Sequence, residues 1–184
     1  MTARRADAQR NYDLILATAR TVVAEQGTQA SLRDIARRAG VGDGTLYRHF
    51  PTRDALLEAL LRQGFDRLAG RAAELAAALP PGAALRGWLT ELVGGAQMYR
   101  GMPGSLVAVL TDTTSPLHEA CQGMREAAAG LLRAAQQAGE IRSDIDETDA
   151  LALINSVGWI AEQNPQLASR HDRLLAVVLD GLAA

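Results

Sequence analysis

Between Ser31 and Leu57 the chain runs SLRDIARRAGVGDGTLYRHFPTRDALL, and no other stretch limits the possible folds so sharply. Ser31 with Asp34 makes an S-x-x-D capping arrangement, Leu32, Ile35, Ala36 and Ala39 recur at helical spacing, and Gly40 ends the run. After a short turn, Gly42 or Asp43 opens a second, shorter helix whose strong apolar anchors are Leu46 and Phe50, one turn apart, before Pro51 stops it. Thr52 caps a third. A helix as short as the middle one is marginal in water. Its neighbours must hold it, and its polar side must be aimed at something.

The rest of the chain keeps helical periodicity. Asn11 and Asp13 look like the opening of a first helix, with Ile15, Ala19 and Val22 on one face and Gly27 as its stop. From Thr52 a broad apolar stripe of Leu56, Leu57, Leu60, Leu61, Phe65 and Leu68 predicts a long helix reaching Leu79. "PPG" at residues 80–82 breaks it, Leu85 to Tyr99 resumes, and a short helix is expected over 105–110. Ser115 and Pro116 read as N-cap and first residue of a helix that Gly139 ends, and two last helices are expected over 148–163 and 165–182. No strand pattern and no repeat occurs. The expected fold is all-α with about nine helices. A three-helix front over residues 1–51 and a larger helical back over 52–184 are its expected domains.

Composition narrows the function classes. Alanine and leucine dominate, and every basic residue is arginine. The net charge of −2 conceals an asymmetry: residues 1–55 hold nine arginines against six acids, or +3, which leaves −5 for the remainder. A solvated charge run and a polyanion-binding face both fit that bias. One cysteine, Cys121, excludes an intrachain disulfide, and the start MTARRADAQR lacks the apolar stretch of a secretory leader. No apolar run approaches the roughly 20 residues that span a bilayer. A cytoplasmic protein with no membrane partner is expected.

Two helices joined by a short glycine-containing turn, the second one polar outside, make a helix-turn-helix whose second helix enters a DNA major groove. Leu46 and Phe50 would hold that helix down, leaving Asp43, Gly44, Thr45, Tyr47, Arg48 and His49 on its other sides. Gly42 and Gly44 would allow close approach to a phosphate backbone. Through "SLRDIARRAGV", "GTLYRHFPTRDALL" and their separation, residues 11–57 resemble the DNA-binding domain of the TetR family of bacterial transcriptional regulators. The resemblance implies that Thr45 sits near base edges or phosphate, that Tyr47 and His49 bind phosphates, and that Arg53 clamps another. Ser31 and Arg33 would also meet phosphate. Many members carry Ser and Lys where this chain has Gly42 and Asp43. Asp43 has two readings, an acceptor from a cytosine amino group or a helix cap. Tyr47 has a packing alternative and Arg48 a solvated one, and Arg4 with Arg5 fits either an arm over the duplex or a disordered tail.

The last two helices carry wide apolar faces, from Leu151, Ile154 and Trp159 to Leu174, Val178 and Leu182, so pairing with their copies in a two-fold homodimer is expected. A dimer would address a palindromic operator in double-stranded DNA. Trp88, Leu92, Met98, Tyr99, Leu106, Leu110, His118, Cys121, Met124, Asn155 and Trp159 are candidates for the wall of an effector cavity, and ordinary core packing is the competing reading for each. Such a wall suits a small, mainly apolar molecule. A repressor released by that molecule is therefore expected. His118, Glu119 and Cys121 share a helix but fall short of a metal set, and no zinc-protease motif, C-x-x-C, nucleophile elbow or phosphate loop occurs. Neither catalysis nor a cofactor or metal is expected.

Overall fold

The computed structural model of the chain describes residues 3–96, 109, 111–163 and 165–184. Among them lie eight helices: α1 (Ala3–Gln26), α2 (Leu32–Arg38), α3 (Asp43–His49), α4 (Arg53–Ala78), α5 (Pro81–Ala96), α6 (Pro116–Gln137), α7 (Glu147–Gln163) and α8 (His171–Gly181). A single helical turn, Pro165–Ala168, separates the last two. The fold is all-α, as the periodicity requires, and the short helix expected over 105–110 lies outside the described residues, as do the positions of Met98, Tyr99, Leu106 and Leu110.

Most boundaries fall where their local chemistry puts them. Thr52 Oγ1 accepts from the Ala55 amide at 3.1 Å, and Ser115 Oγ accepts from the His118 amide at 3.0 Å, so both N-caps are in place. Gly139 takes φ +70°, and the Glu140 amide reaches back to the Ala135 carbonyl at 3.0 Å, closing α6 in a left-handed cap that a side chain would strain.

Two boundaries differ from expectation. Helix α1 starts at Ala3, well before Asn11, because Gln9 donates to Asp13 at 2.9 Å and Arg10 pairs with Asp7, and such contacts one turn apart support a helix. The backbone of Arg4 and Arg5 thus belongs to a helix and not to a disordered tail. The helix expected over 165–182 is interrupted: Ser169 Oγ donates to the Gln166 carbonyl at 2.9 Å and the Arg170 amide to Leu167 at 2.9 Å, which closes a turn before α8 begins.

The described chain divides into two compact units. One contains α1 to α3, the first part of α4 through Gln63, and the start of α6 through His118. Its interior is Ile15, Leu16, Ala19, Val22 and Val23 of α1, Ile35, Ala36 and Ala39 beside α2, Leu46 and Phe50 at α3, and Leu56 and Leu57 of α4, all buried.

The second unit contains the remainder of α4, α5, and the chain from Glu119 onward. Its core gathers Leu68, Leu75, Leu85, Leu89, Leu131, Leu132, Ile154, Leu175 and Leu179 around Trp88. Trp88 is fully buried, and its Nε1 donates to the Leu68 carbonyl at 2.8 Å, so the indole brings no unsatisfied polar atom into the core. Near the end of the chain an isolated antiparallel bridge joins Ile141 to Ala183, and the Arg142 amide donates to the Leu182 carbonyl at 3.0 Å. The neighbouring Glu140 carboxylate accepts from the Gly82 amide at 3.1 Å and so caps α5 from a distant part of the sequence.

Trp88→Ala is expected to cost about 3–5 kcal/mol of folding free energy, and Trp88→Phe about 1–2 kcal/mol, from lost volume and the lost indole bond respectively. Urea denaturation followed by circular dichroism measures both, and a Phe variant as stable as the parent would show that the indole bond contributes nothing.

Candidate nucleic-acid interface

The site is built by holding α3 on the side that its sequence makes apolar. Leu46 is wholly buried and Phe50, which closes the helix, is 2% exposed. Beneath Phe50 lies Tyr12 of α1, its ring stacked at 5.0 Å and 30°, and His49 meets the same tyrosine edge-on at 5.9 Å. Tyr12 also receives a hydrogen bond at its hydroxyl from Arg62 Nη2 at 3.4 Å. These rings fix the C-terminal end of α3 against α1 and α4.

The other end is fixed through α2. Ser31 caps α2 by accepting from the Asp34 amide at 3.5 Å, and the Asp34 carboxylate then gathers Arg37 at 2.5 Å, Arg38 at 2.9 Å and Gln26 of α1 at 3.3 Å. Arg38 reaches on to Glu25 at 2.7 Å, so α2 is laced to the last turn of α1. Arg37's hydrogen bond, foremost, holds the Asp34 carboxyl below its usual range, against the effect of partial burial. Gly40, at φ +67°, allows the sharp turn that follows: the Val41 amide bonds the Ala36 carbonyl at 3.0 Å and the chain reverses into α3.

With α3 so held, Asp43, Gly44, Tyr47 and Arg48 form an exposed arc, and Thr45 and His49 sit half-buried at its border. Tyr47 is 44% exposed, so part of its ring packs and part is open to solvent. Gly42 is the N-cap and makes no side-chain cap bond, while Asp43 is the first helical residue. The cap reading of Asp43 is therefore corrected: its carboxylate lies 3.8 Å from Arg33 Nε across the turn. Neither glycine is demanded by the fold, since Gly42 has an ordinary φ of −71° and a Cβ added at Gly42 or Gly44 would meet nothing within 4 Å. Ser31 and Arg33 are exposed at the start of α2.

Arg53 is half-buried rather than free. Its Nη1 donates to Gln29 Oε1 at 3.0 Å, and its Nε is buried without a partner. Gln29 and Tyr12 are not recognisable as supports from residue spacing, because each meets its partner across a long sequence separation.

The candidate effector wall is brought together only in part. Trp88, Leu92 and Met124 are buried in the second unit's core with Cys121 packed against it, and burial pushes the Cys121 thiol up from its ordinary value. His118 is half-buried and falls in the first unit. Asn155 and Trp159 do not join the wall: both are exposed on α7, Trp159 by 62%, because Ile154 and Val157 take the inward positions of that helix. Among the described residues no helix is long and apolar enough to cross a membrane.

A capped α2, a glycine turn and a short α3 with a solvent-facing polar arc define a helix-turn-helix unit of the DNA-binding kind. The profile of bacterial regulatory proteins of the tetR family matches residues 15–60, and that of the SbtR-like transcriptional regulator C-terminal domain matches residues 80–184. The HTH-type transcriptional repressor KstR2 of Rhodococcus jostii is 31% identical over 186 aligned positions, covering 92% of this chain and 90% of its own. The crystal structure of a TetR transcriptional regulator from Streptomyces coelicolor has a TM-score of 0.74 and 43% identity, over 94% of this chain and 98% of that one. A TetR regulatory protein from Mycobacterium vanbaalenii gives 0.65 and 34%, over 99% and 100%. The chain belongs to the TetR family of transcriptional regulators.

The lowered Asp34 value has a pH signature. A carboxyl whose folded value lies below its ordinary 3.8 adds stability above that pH and loses it as the solution is acidified through the folded value. Asp34→Asn is expected to flatten that part of the acid limb in stability measured from pH 7 to pH 3. A variant that loses stability in acid as steeply as the parent would remove Asp34 from the account.

Proposed function

We propose that this regulator is a dimeric repressor that grips a palindromic operator through α3 and is released from it by a small, mainly apolar effector. The observation that carries the reading is the exposed arc of α3, held outward by buried Leu46 and Phe50. Tyr47, His49, Ser31, Arg33 and Arg53 serve the phosphate backbone, and Thr45 and Arg48 serve base edges, with Gly42 and Gly44 leaving room for the duplex. The kinship with a named repressor supports repression. The cytoplasm is the compartment where such a protein meets its operator.

Pairing of two copies is supported by apolar side chains left in solvent: Leu153 and Trp159 on α7 are 45% and 62% exposed, and Val177 on α8 is 61% exposed. Large apolar groups left in solvent on two helices favour a mating face. The two-fold axis that results sets the distance between the two α3 helices, and half-sites one helical turn apart, about 34–36 Å, accept only a narrow range of it. An effector lodged among the residues of the second unit's core would act by favouring a different spacing, with a coupling on the order of 1–3 kcal/mol.

Two outcomes are expected. In gel shifts over operators altered one base at a time, Arg53→Ala and Tyr47→Phe weaken binding to all of them alike, whereas Thr45→Ala and Arg48→Ala relax the preference at particular positions. An altered base preference in Arg53→Ala at intact affinity contradicts these roles. In light scattering, the parent has the mass of two chains and Trp159→Arg with Val177→Arg shifts it toward one. A double variant that stays dimeric moves the mating face elsewhere.

A further inference from the structure

We infer that Asp43, buttressed by Arg33, reads a cytosine in the operator by accepting a hydrogen bond from its exocyclic N4 amino group. The inference rests on the operator-binding reading above and names the base that one position of the site takes.

Local structure leaves Asp43 without an internal role. Gly42 occupies the N-cap, no side-chain cap bond is made there, and Asp43 is the first residue of α3. Its charge contact with Arg33 joins side chains that are 56% and 82% exposed, and a pair of that kind contributes almost nothing to folding. What the contact does is electrostatic. A bare carboxylate pressed toward a duplex is repelled by phosphates; a guanidinium 3.8 Å away, too far for a hydrogen bond, offsets part of that repulsion and leaves both carboxylate oxygens open to accept from a base. Arg33 has further N–H groups on its exposed side for a phosphate, so it would tie Asp43 to the backbone it stands beside.

The position suits base contact. The first residues of a recognition helix are those that reach base edges, and Asp43 shares the exposed arc with Gly44, Tyr47 and Arg48. Gly42 and Gly44 flank it with no side chain and with open space where a Cβ would stand, so nothing beside Asp43 keeps it from the groove floor.

Chemistry then selects the base. An ionised carboxylate only accepts hydrogen bonds. In the major groove guanine offers two acceptors and thymine an acceptor and a methyl group, and both oppose it; adenine offers a donor beside an acceptor. Cytosine alone presents a donor without an acceptor of its own.

The test uses the full chain. Fragments selected from random DNA fix the operator, and fluorescence anisotropy compares the parent with D43A, D43N and R33A on it and on copies altered symmetrically at each half-site position. Both positions are exposed, and melting curves matching the parent certify the fold. At one position the parent is expected to prefer cytosine by roughly 10- to 100-fold. D43A should equalise the bases there and keep the other preferences, and D43N should shift the preference toward adenine. Replacing that cytosine by pyrimidin-2-one, which lacks the amino group, should cost the parent the same factor and cost D43A nothing further. R33A should narrow the cytosine preference several-fold and lower the slope of log affinity against log salt by about 1.

A D43A protein that retains every preference, or changes affinity for all sequences alike, overturns the assignment, and so does an equal loss of both proteins on the pyrimidinone operator. An R33A protein with full cytosine preference overturns the buttress. If the parent enriches no sequence at all, the operator-binding reading itself has failed, a result distinct from an enriched palindrome that D43A reads unchanged.

Discussion

Burial of two side chains, Leu46 and Phe50, is what makes a seven-residue helix usable. Helix nucleation is unfavourable and a helix this short gains too few bonds to stand by itself. Leu46 supplies a fully buried anchor inside the helix and Phe50 a second at its exit, where the Tyr12 ring receives it. The outward direction of Tyr47 and Arg48 is a consequence of that geometry, since anchoring positions 46 and 50 inward leaves the other side of the helix to solvent. At the other end, buried Ile35, Ala36 and Ala39 seat α2, Asp34 and Arg38 add polar ties to the last turn of α1, and the turn at Gly40 passes that placement on to α3.

What the sequence discloses of this arrangement is what lies within a few residues. Caps at Ser31, Thr52 and Ser115 and the glycine stop at residue 139 are set by interactions no more than one or two turns long, and the anchors of α3 are legible from their one-turn spacing. Supports made across the chain were not legible. Tyr12 beneath Phe50, Gln29 beside Arg53 and Glu140 over Gly82 join residues far apart, and no spacing in the sequence announces them. Asn11 and Asp13 misled because cap-type residues are tolerated inside a helix when neighbours one turn away satisfy them, as Gln9 does for Asp13. Asp43 misled for a related reason: a glycine can occupy the N-cap position with no side chain at all.

The second unit shows why candidate ligand contacts are hard to separate from packing. Trp88, Leu92 and Met124 have the size and softness of effector contacts, yet they are buried members of one continuous core. Trp159 has the same chemistry and the opposite environment, because its place on α7 is set by Ile154 and Val157 turning inward. Residue type alone could not tell the two tryptophans apart; the phase of each along its helix does.

That contrast gives the protein two internal optical labels. Trp88 is sealed beside a carbonyl in the dry interior, whereas Trp159 stands 62% in solvent. The first indole emits from an apolar cage beyond reach of an aqueous quencher, and the second from a wet surface open to it. Because these are the only two indoles in the chain, removing either by substitution leaves a single-colour report, one on the integrity of the interior and the other on whatever comes to cover α7.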